Sequence, residues 1–109
     1  MCGILAIARS IPAPEGRPAL SDEALRRSMA RLRWRGPDGE GVYQSPDGRV
    51  LLAHTRLAIQ DLSEAGRQPM STEDDSVVIT FNGEIYNAPA LRSELERAGA
   101  VFRSHADTE

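Results

Sequence analysis

The stretch that most limits the fold is Ser45-Pro46-Asp47-Gly48, set between two strand-like segments, Val42 to Gln44 and Arg49 to His54. A proline followed by a polar residue and a glycine suits a type I turn, so the two segments are expected to pair as a hairpin. Gly3 to Ala8 reads as a further short, buried strand, broken by the turn formers from Ile11 to Gly16. Val77 to Phe81 is the clearest strand pattern, and it runs into Asn82-Gly83, a pair that favours positive backbone angles and a sharp reversal.

Two helices are expected beside these strands. Ser21 can cap the first, with Asp22 and Glu23 in its opening turn, Leu25, Met29 and Leu32 at helical spacing, and Gly36-Pro37 as the stop. Asn87 can cap the second, with Pro89 in its first turn, Leu91 and Leu95 on one face, and Gly99 at its end. Asp61 to Met70 is polar and reads as a surface loop, and Glu73, Asp74 and Asp75 as a solvated turn. Strands in hairpin-like order with two helices to cover them make an α+β layered domain.

A chain of 109 residues has room for one domain or part of one, and a single cysteine excludes a disulfide scaffold. All 13 basic residues are arginine, which closes mechanisms that need a lysine amine. A net charge of -3 argues against a nucleic-acid footprint. The run Arg26, Arg27, Arg31, Arg33, Arg35 reads as the solvated end of a helix, where cations suit the dipole, in preference to a binding patch. The apolar run Ile4 to Ala8 is too short for a membrane span or a signal-peptide core, so no membrane partner is expected and the cytoplasm is the expected compartment.

Cys2 is the most informative residue for chemistry. A small side chain at position two permits removal of Met1, which would leave a thiol and a free α-amine on one residue. An α-amine titrates near neutrality and can take a thiol proton, so nucleophile and base would come together. By itself Cys2 reads as a small buried hydrophobe in preference to a nucleophile. Cys2, His54 and His105 lack a zinc-binding spacing, so no metal is expected. His54, at the end of an apolar strand, reads as structural, and Trp34 and Phe102 as packing residues.

Five blocks taken in order carry more. Met1-Cys2-Gly3-Ile4, Arg35-Gly36-Pro37-Asp38-Gly39, Leu52-Ala53-His54-Thr55-Arg56-Leu57-Ala58-Ile59, Phe81-Asn82-Gly83-Glu84-Ile85-Tyr86-Asn87 and His105-Ala106-Asp107-Thr108-Glu109 together resemble the glutaminase domain of glutamine-dependent asparagine synthetases. That family lies within the class II glutamine amidotransferases of the N-terminal-nucleophile hydrolases. Residues 1–109 resemble the N-terminal portion of such a domain, which implies a four-layer αββα sandwich, incomplete in this length of chain. The family's glutaminase domain continues with further strands and helices, and its synthetase domain follows. Ala6, where many relatives carry glycine, and Arg67 are small departures from the pattern.

The resemblance implies hydrolysis of glutamine to glutamate and ammonia through a cysteinyl thioester on Cys2. Asn82 and Gly83 match the family's oxyanion donors. The charge that builds on the amide oxygen needs such donors in place, and losing one typically costs about 2–4 kcal/mol of barrier. Arg56 matches the ligand of the substrate carboxylate, to which a guanidinium can give two parallel bonds. Asp107 matches the partner of the substrate ammonium, with Glu84 near the same end, and the backbone of Leu57 and Ile59 would line the pocket. No cofactor is implied for this segment. ATP and Mg belong to the family's synthetase domain, which would also receive the ammonia, as a domain or a separate chain. A homo-oligomer is compatible with the pattern. The rival expectation is a non-catalytic remnant that binds glutamine or a partner chain.

Overall fold

The hairpin around Ser45 to Gly48 is the frame of the fold. The computed structural model describes residues 1–11, 14, 17–59 and 61–109. Its elements are β1 (Gly3–Ala8), α1 (Asp22–Leu32), β2 (Gly39–Gln44), β3 (Val50–Arg56), a 3-10 turn (Glu64–Gly66), β4 (Met70–Ser71), β5 (Val78–Ile79) and α2 (Ala88–Arg97). The arrangement is α+β, with a three-stranded antiparallel sheet in the order β1-β3-β2 and a two-stranded ladder of β4 with β5. Of the turn formers that follow β1, Pro12, Ala13, Glu15 and Gly16 lie outside the described residues.

Local chemistry closes the hairpin as its sequence suggests. The Gly48 N–H donates to the Ser45 carbonyl at 2.9 Å, with Gly48 at a φ of 67°, the left-handed region that glycine enters without a steric cost. The Asp47 carboxylate accepts from the Ser45 hydroxyl at 2.7 Å and the Arg49 N–H at 3.1 Å, which holds its pKa below the usual carboxylate value. The strands run further than their β-formers would. β2 begins at Gly39 and β3 ends at Arg56, because Glu40 pairs with Thr55 and Gly41 with His54 once the hairpin has set the register. Long-range pairing here overrides weak strand propensity.

β3 is the central strand, so it is covered on both sides. Leu51, Ala53, His54 and Thr55 are all at most 1% exposed. Alternation sends Leu51, Ala53 and Thr55 to one face and His54 and Arg56 to the other. α1 lies on the first face and buries Met29 against Leu51 and Ala53, with Leu5, Ile7, Leu20 and Leu25 packed around them. Ser21 caps α1, its hydroxyl accepting from the Ala24 N–H at 3.3 Å, an interaction worth about 0.5–2 kcal/mol. At the other end of α1, the Thr55 hydroxyl donates to the Leu32 carbonyl at 3.1 Å and accepts from the Gly3 N–H at 3.1 Å. One fully buried side chain thus joins helix, central strand and the start of β1.

Several expectations need correction. β1 is not buried throughout: Gly3 is buried, Leu5 and Ile7 are half-buried, and Ile4, Ala6 and Ala8 are exposed, as befits an edge strand. The strand expected over Val77 to Phe81 shrinks to Val78–Ile79, since its partner β4 offers only Met70 and Ser71. Asn82-Gly83 makes a bend in which Gly83 does not take a positive φ. Asn87 starts α2 without a side-chain cap bond, and α2 buries none of its residues; Leu91 and Leu95 are 42% and 49% exposed. Trp34 is 94% exposed and packs nothing, whereas Phe102 sits under the Arg92 guanidinium at 3.9 Å.

Candidate functional site

The second face of the sheet opens onto a cleft of about 380 Å³, within the usual range for small-molecule pockets. Cys2, Arg56, Leu57, Ile59, Asn82, Gly83, Glu84 and Asp107, drawn from segments far apart in the sequence, all line it. Register explains the first two. Gly3 pairs with Thr55, so Cys2, one residue earlier, faces Arg56, one residue later, at the same end of the sheet.

Cys2 is half-buried and held from both sides. Its sulfur accepts from the Leu57 N–H at 3.4 Å and lies 3.8 Å from the Leu57 carbonyl, while its own carbonyl accepts from Arg35 Nε at 3.1 Å. Asp38 secures the segment beyond β3, its carboxylate accepting from the Ala58 N–H at 2.9 Å. Met1, also at the cleft, is 74% exposed.

Arg56 is 9% exposed, and its guanidinium donates to the backbone carbonyls of Asp61 and, at 2.7 Å, Ser63. A guanidinium has five N–H donors, and these carbonyls take two of them. Gly66 leaves room for the guanidinium, since a Cβ at that position would meet Arg56 Nη2 at 2.5 Å. The loop that wraps Arg56 is therefore a built part of the site, which corrects the expectation of a plain surface loop from Asp61 to Met70. Asp61 is 8% exposed. Its carboxylate accepts from the Ser63 N–H and the His105 N–H, each at 2.8 Å. Its pKa is lowered to about 2, first by hydrogen bonding to Ser63, then to the His105 backbone, with Arg56 adding to the effect.

The turn that carries Asn82 and Gly83 hangs from its flanks. The Phe81 N–H donates to Gln68 Oε1 at 2.5 Å, and the Ile85 N–H donates to Asp107 Oδ2 at 2.8 Å. A Cβ at Gly83 would lie 2.6 Å from Phe81 Cζ, so a side chain there would displace either the Phe81 ring or the bend. Asp107 and Thr108 belong to a C-terminal segment tied down by Glu109. The Glu109 carboxylate accepts from the Arg103 and Ser104 N–H groups and the Ser104 hydroxyl, each at 2.7 Å. Burial raises the Glu109 pKa, but these bonds outweigh it and the net shift is downward. Arg92 of α2 adds a bond to the Ala106 carbonyl at 3.2 Å.

His54 lines the cleft and is 1% exposed, and among the described residues neither ring nitrogen meets a partner in good hydrogen-bond geometry. Burial is the main cause of its lowered pKa; the Phe81 backbone raises it and Arg56 lowers it further, so the imidazole is neutral at neutral pH. Five residues that position the site had no role assigned in the sequence reading: Arg35, Asp38, Asp61, Gln68 and Thr108. Arg35, Asp38 and Thr108 stood within recognised motifs. Asp61 carries one local signal, an aspartate two residues before Ser63 in a polar stretch, the pattern of an Asx turn.

Comparison with known proteins extends these observations. The profile of the glutamine amidotransferase domain family matches residues 1–109. A probable glutamine-hydrolysing asparagine synthetase of Dictyostelium discoideum is 48% identical over 110 residues, covering 100% of this chain and 18% of that protein. Asparagine synthetase (glutamine-hydrolysing) 1 of Arabidopsis thaliana is 43% identical, and its counterpart numbered 1 in Bacillus subtilis 38% identical, each over 109 residues that make up 17% and 16% of those proteins. The chain therefore spans less than a fifth of the length of these relatives. No solved structure matches it. Among the described residues, no helix is long and apolar enough to cross a membrane. With its whole length matched by the family profile, the chain belongs to the glutamine amidotransferase domain family.

Proposed function

We propose that this chain is the N-terminal portion of a glutaminase domain that hydrolyses the side-chain amide of glutamine to glutamate and ammonia. The observation that carries the reading is the convergence on one cleft of a thiol, a buried guanidinium, a half-buried carboxylate and the Asn82-Gly83 bend. It is supported by relatives named as glutamine-hydrolysing asparagine synthetases. In the complete enzyme we expect the four-layer αββα sandwich of the N-terminal-nucleophile hydrolases, and a synthetase part that accepts the ammonia. A reducing compartment such as the cytoplasm would keep Cys2 as a thiol.

The chemistry starts with removal of Met1, whose exposure suits it to an aminopeptidase. The freed α-amine of Cys2 takes the thiol proton, and the thiolate attacks the amide carbon of glutamine. A carbon–sulfur bond forms as the carbonyl π electrons move to oxygen, where the Asn82 side chain and the Gly83 N–H receive the charge. The intermediate collapses with cleavage of the carbon–nitrogen bond. The α-ammonium of Cys2 returns its proton to the leaving nitrogen, so that ammonia departs and a thioester remains. Water, deprotonated by the same amine, then releases glutamate and restores the thiol. Arg56 would hold the substrate carboxylate and Asp107 its ammonium, at the distance that presents the amide to Cys2. Glu84 and the backbone of Leu57 and Ile59 would complete the pocket.

Ammonia release from glutamine is the direct test, combined with intact mass to establish loss of Met1. The processed chain should release ammonia, Cys2→Ala should release none above background, and hydroxylamine should trap a glutamyl hydroxamate from the former alone. Equal rates for the two proteins would end the proposal.

A further inference from the structure

Around one wall of the cleft the hydrogen bonds form a closed circuit. Gln68 Oε1 accepts from the Phe81 N–H at 2.5 Å, at the base of the Asn82-Gly83 bend, and Gln68 Nε2 donates to Thr108 Oγ1 at 3.0 Å. Thr108 adjoins Asp107, whose Oδ2 accepts from the Ile85 N–H at 2.8 Å on the far side of the same bend. The backbone of Gln68 is itself pressed against β2, where a Cβ on Gly41 would collide with the Gln68 carbonyl. The half-buried Gln68 side chain is thus anchored to the sheet at its root and bridges the bend and the C-terminal segment at its tip.

We infer that Gln68 is a positioning residue that couples recognition of the substrate's α-ammonium at Asp107 to the placement of the oxyanion donors at Asn82 and Gly83. The inference rests on the glutaminase reading above and assigns a role to a residue outside the reacting groups. An ammonium drawn to Asp107 shifts the segment that carries Thr108. Through the two ends of one carboxamide, that displacement is transmitted to Phe81 and so to the bend. Binding energy from a part of the substrate remote from the scissile amide is then realised as transition-state stabilisation. A glutamine suits the task because its amide both donates and accepts, so it can join an N–H on one side to a hydroxyl on the other.

The experiment compares glutamine with glutaramate, which is glutamine without its α-ammonium, as substrates for the processed chain, Gln68→Met and Thr108→Val. Either substitution cuts the bridge while keeping side-chain volume, Gln68→Met at both ends and Thr108→Val at the Thr108 end alone. Both variants should lower kcat/KM on glutamine by about tenfold, within the usual range of coupling between sites, mostly through kcat. On glutaramate, which cannot engage the coupling, they should match the unsubstituted chain within about twofold. Equal losses on both substrates would make Gln68 a general support of the bend and overturn the inference. So would an unchanged kcat/KM on glutamine in both variants. Amide exchange supplies a readout without turnover: glutamine, but not glutaramate, should slow exchange of the Phe81 N–H, and Thr108→Val should abolish that difference. Protection by both ligands, or by neither, would overturn the inference even where a variant folds poorly. Failure of the unsubstituted chain to hydrolyse glutamine counts against the glutaminase reading itself, and the exchange data then judge the coupling separately.

Discussion

Replacing Thr55 by valine is the sharpest test of how the sheet delivers Cys2 to the cleft. The substitution keeps shape and removes a hydroxyl that is 0% exposed and makes two bonds of 3.1 Å, one from the Gly3 N–H and one to the Leu32 carbonyl. Gly3 is buried, so its N–H would be left without a partner, which costs about 1–3 kcal/mol. The Leu32 carbonyl keeps its other donor, the Arg35 N–H at 2.8 Å, so losing the Thr55 bond adds only about 1 kcal/mol. The expected loss is about 2–4 kcal/mol, a large share of the stability of a domain this size. Urea denaturation followed by far-ultraviolet circular dichroism reads it directly. With an m-value of about 2 kcal/mol/M the midpoint should fall by about 1–2 M. Thr55→Ser, which retains the hydroxyl and loses a methyl group, should cost only about 1 kcal/mol. Because Gly3 follows Cys2, Thr55→Val should also depress glutaminase activity in conditions where the chain remains folded. A midpoint within about 0.3 M of the unsubstituted chain would refute the claim that this hydroxyl pins β1 to α1 (about 0.6 kcal/mol at that slope).

Two further outcomes follow from the site. Asp61 has a folded pKa of about 2 against an ordinary value of 3.8, so it contributes stability above about pH 4 that is lost as the pH falls towards 2. Asp61→Asn should therefore melt lower than the unsubstituted chain at pH 6, with the gap closing between pH 4 and pH 2; a constant gap would show that the carboxylate is not involved. Gly83→Ala brings a Cβ to 2.6 Å from Phe81 Cζ, so either the Phe81 ring or the bend must shift. Displacing the bend carries the Gly83 N–H out of place, so kcat should drop by about a hundredfold with a smaller change in KM, and a kcat within twofold would show that the Phe81 ring yields and the bend holds.

What the sequence made legible was local chemistry. The Ser21 cap, the apolar spacing of α1 and the Ser45–Gly48 turn each depend on residues within four positions of one another, and each lies where the pattern put it. Resemblance supplied residues such as Arg56 and Asp107 that no local pattern could bring together, and they do share one cleft. What stayed hidden depends on distant partners. Val77 to Phe81 reads as a strand by propensity, but its length is set by the two residues of β4. Asp61 looks like any loop aspartate until the His105 N–H, 44 positions away, meets its carboxylate. Gln68 becomes a bridge only when Phe81 and Thr108 arrive from either side. Trp34 is large and apolar, yet just past the last turn of α1 it is 94% exposed, so aromatic character by itself misjudged it.

The alternation along β3 has a consequence for how such a chain can change over generations. Leu51, Ala53 and Thr55 serve the interior while His54 and Arg56 serve the cleft, and they take turns residue by residue. Gain or loss of one amino acid between Leu51 and Arg56 would swap the two crews, driving a guanidinium into the oily layer under α1 and evicting its aliphatic occupants. Substitutions can therefore accumulate in this strand one at a time, whereas its count of residues is frozen.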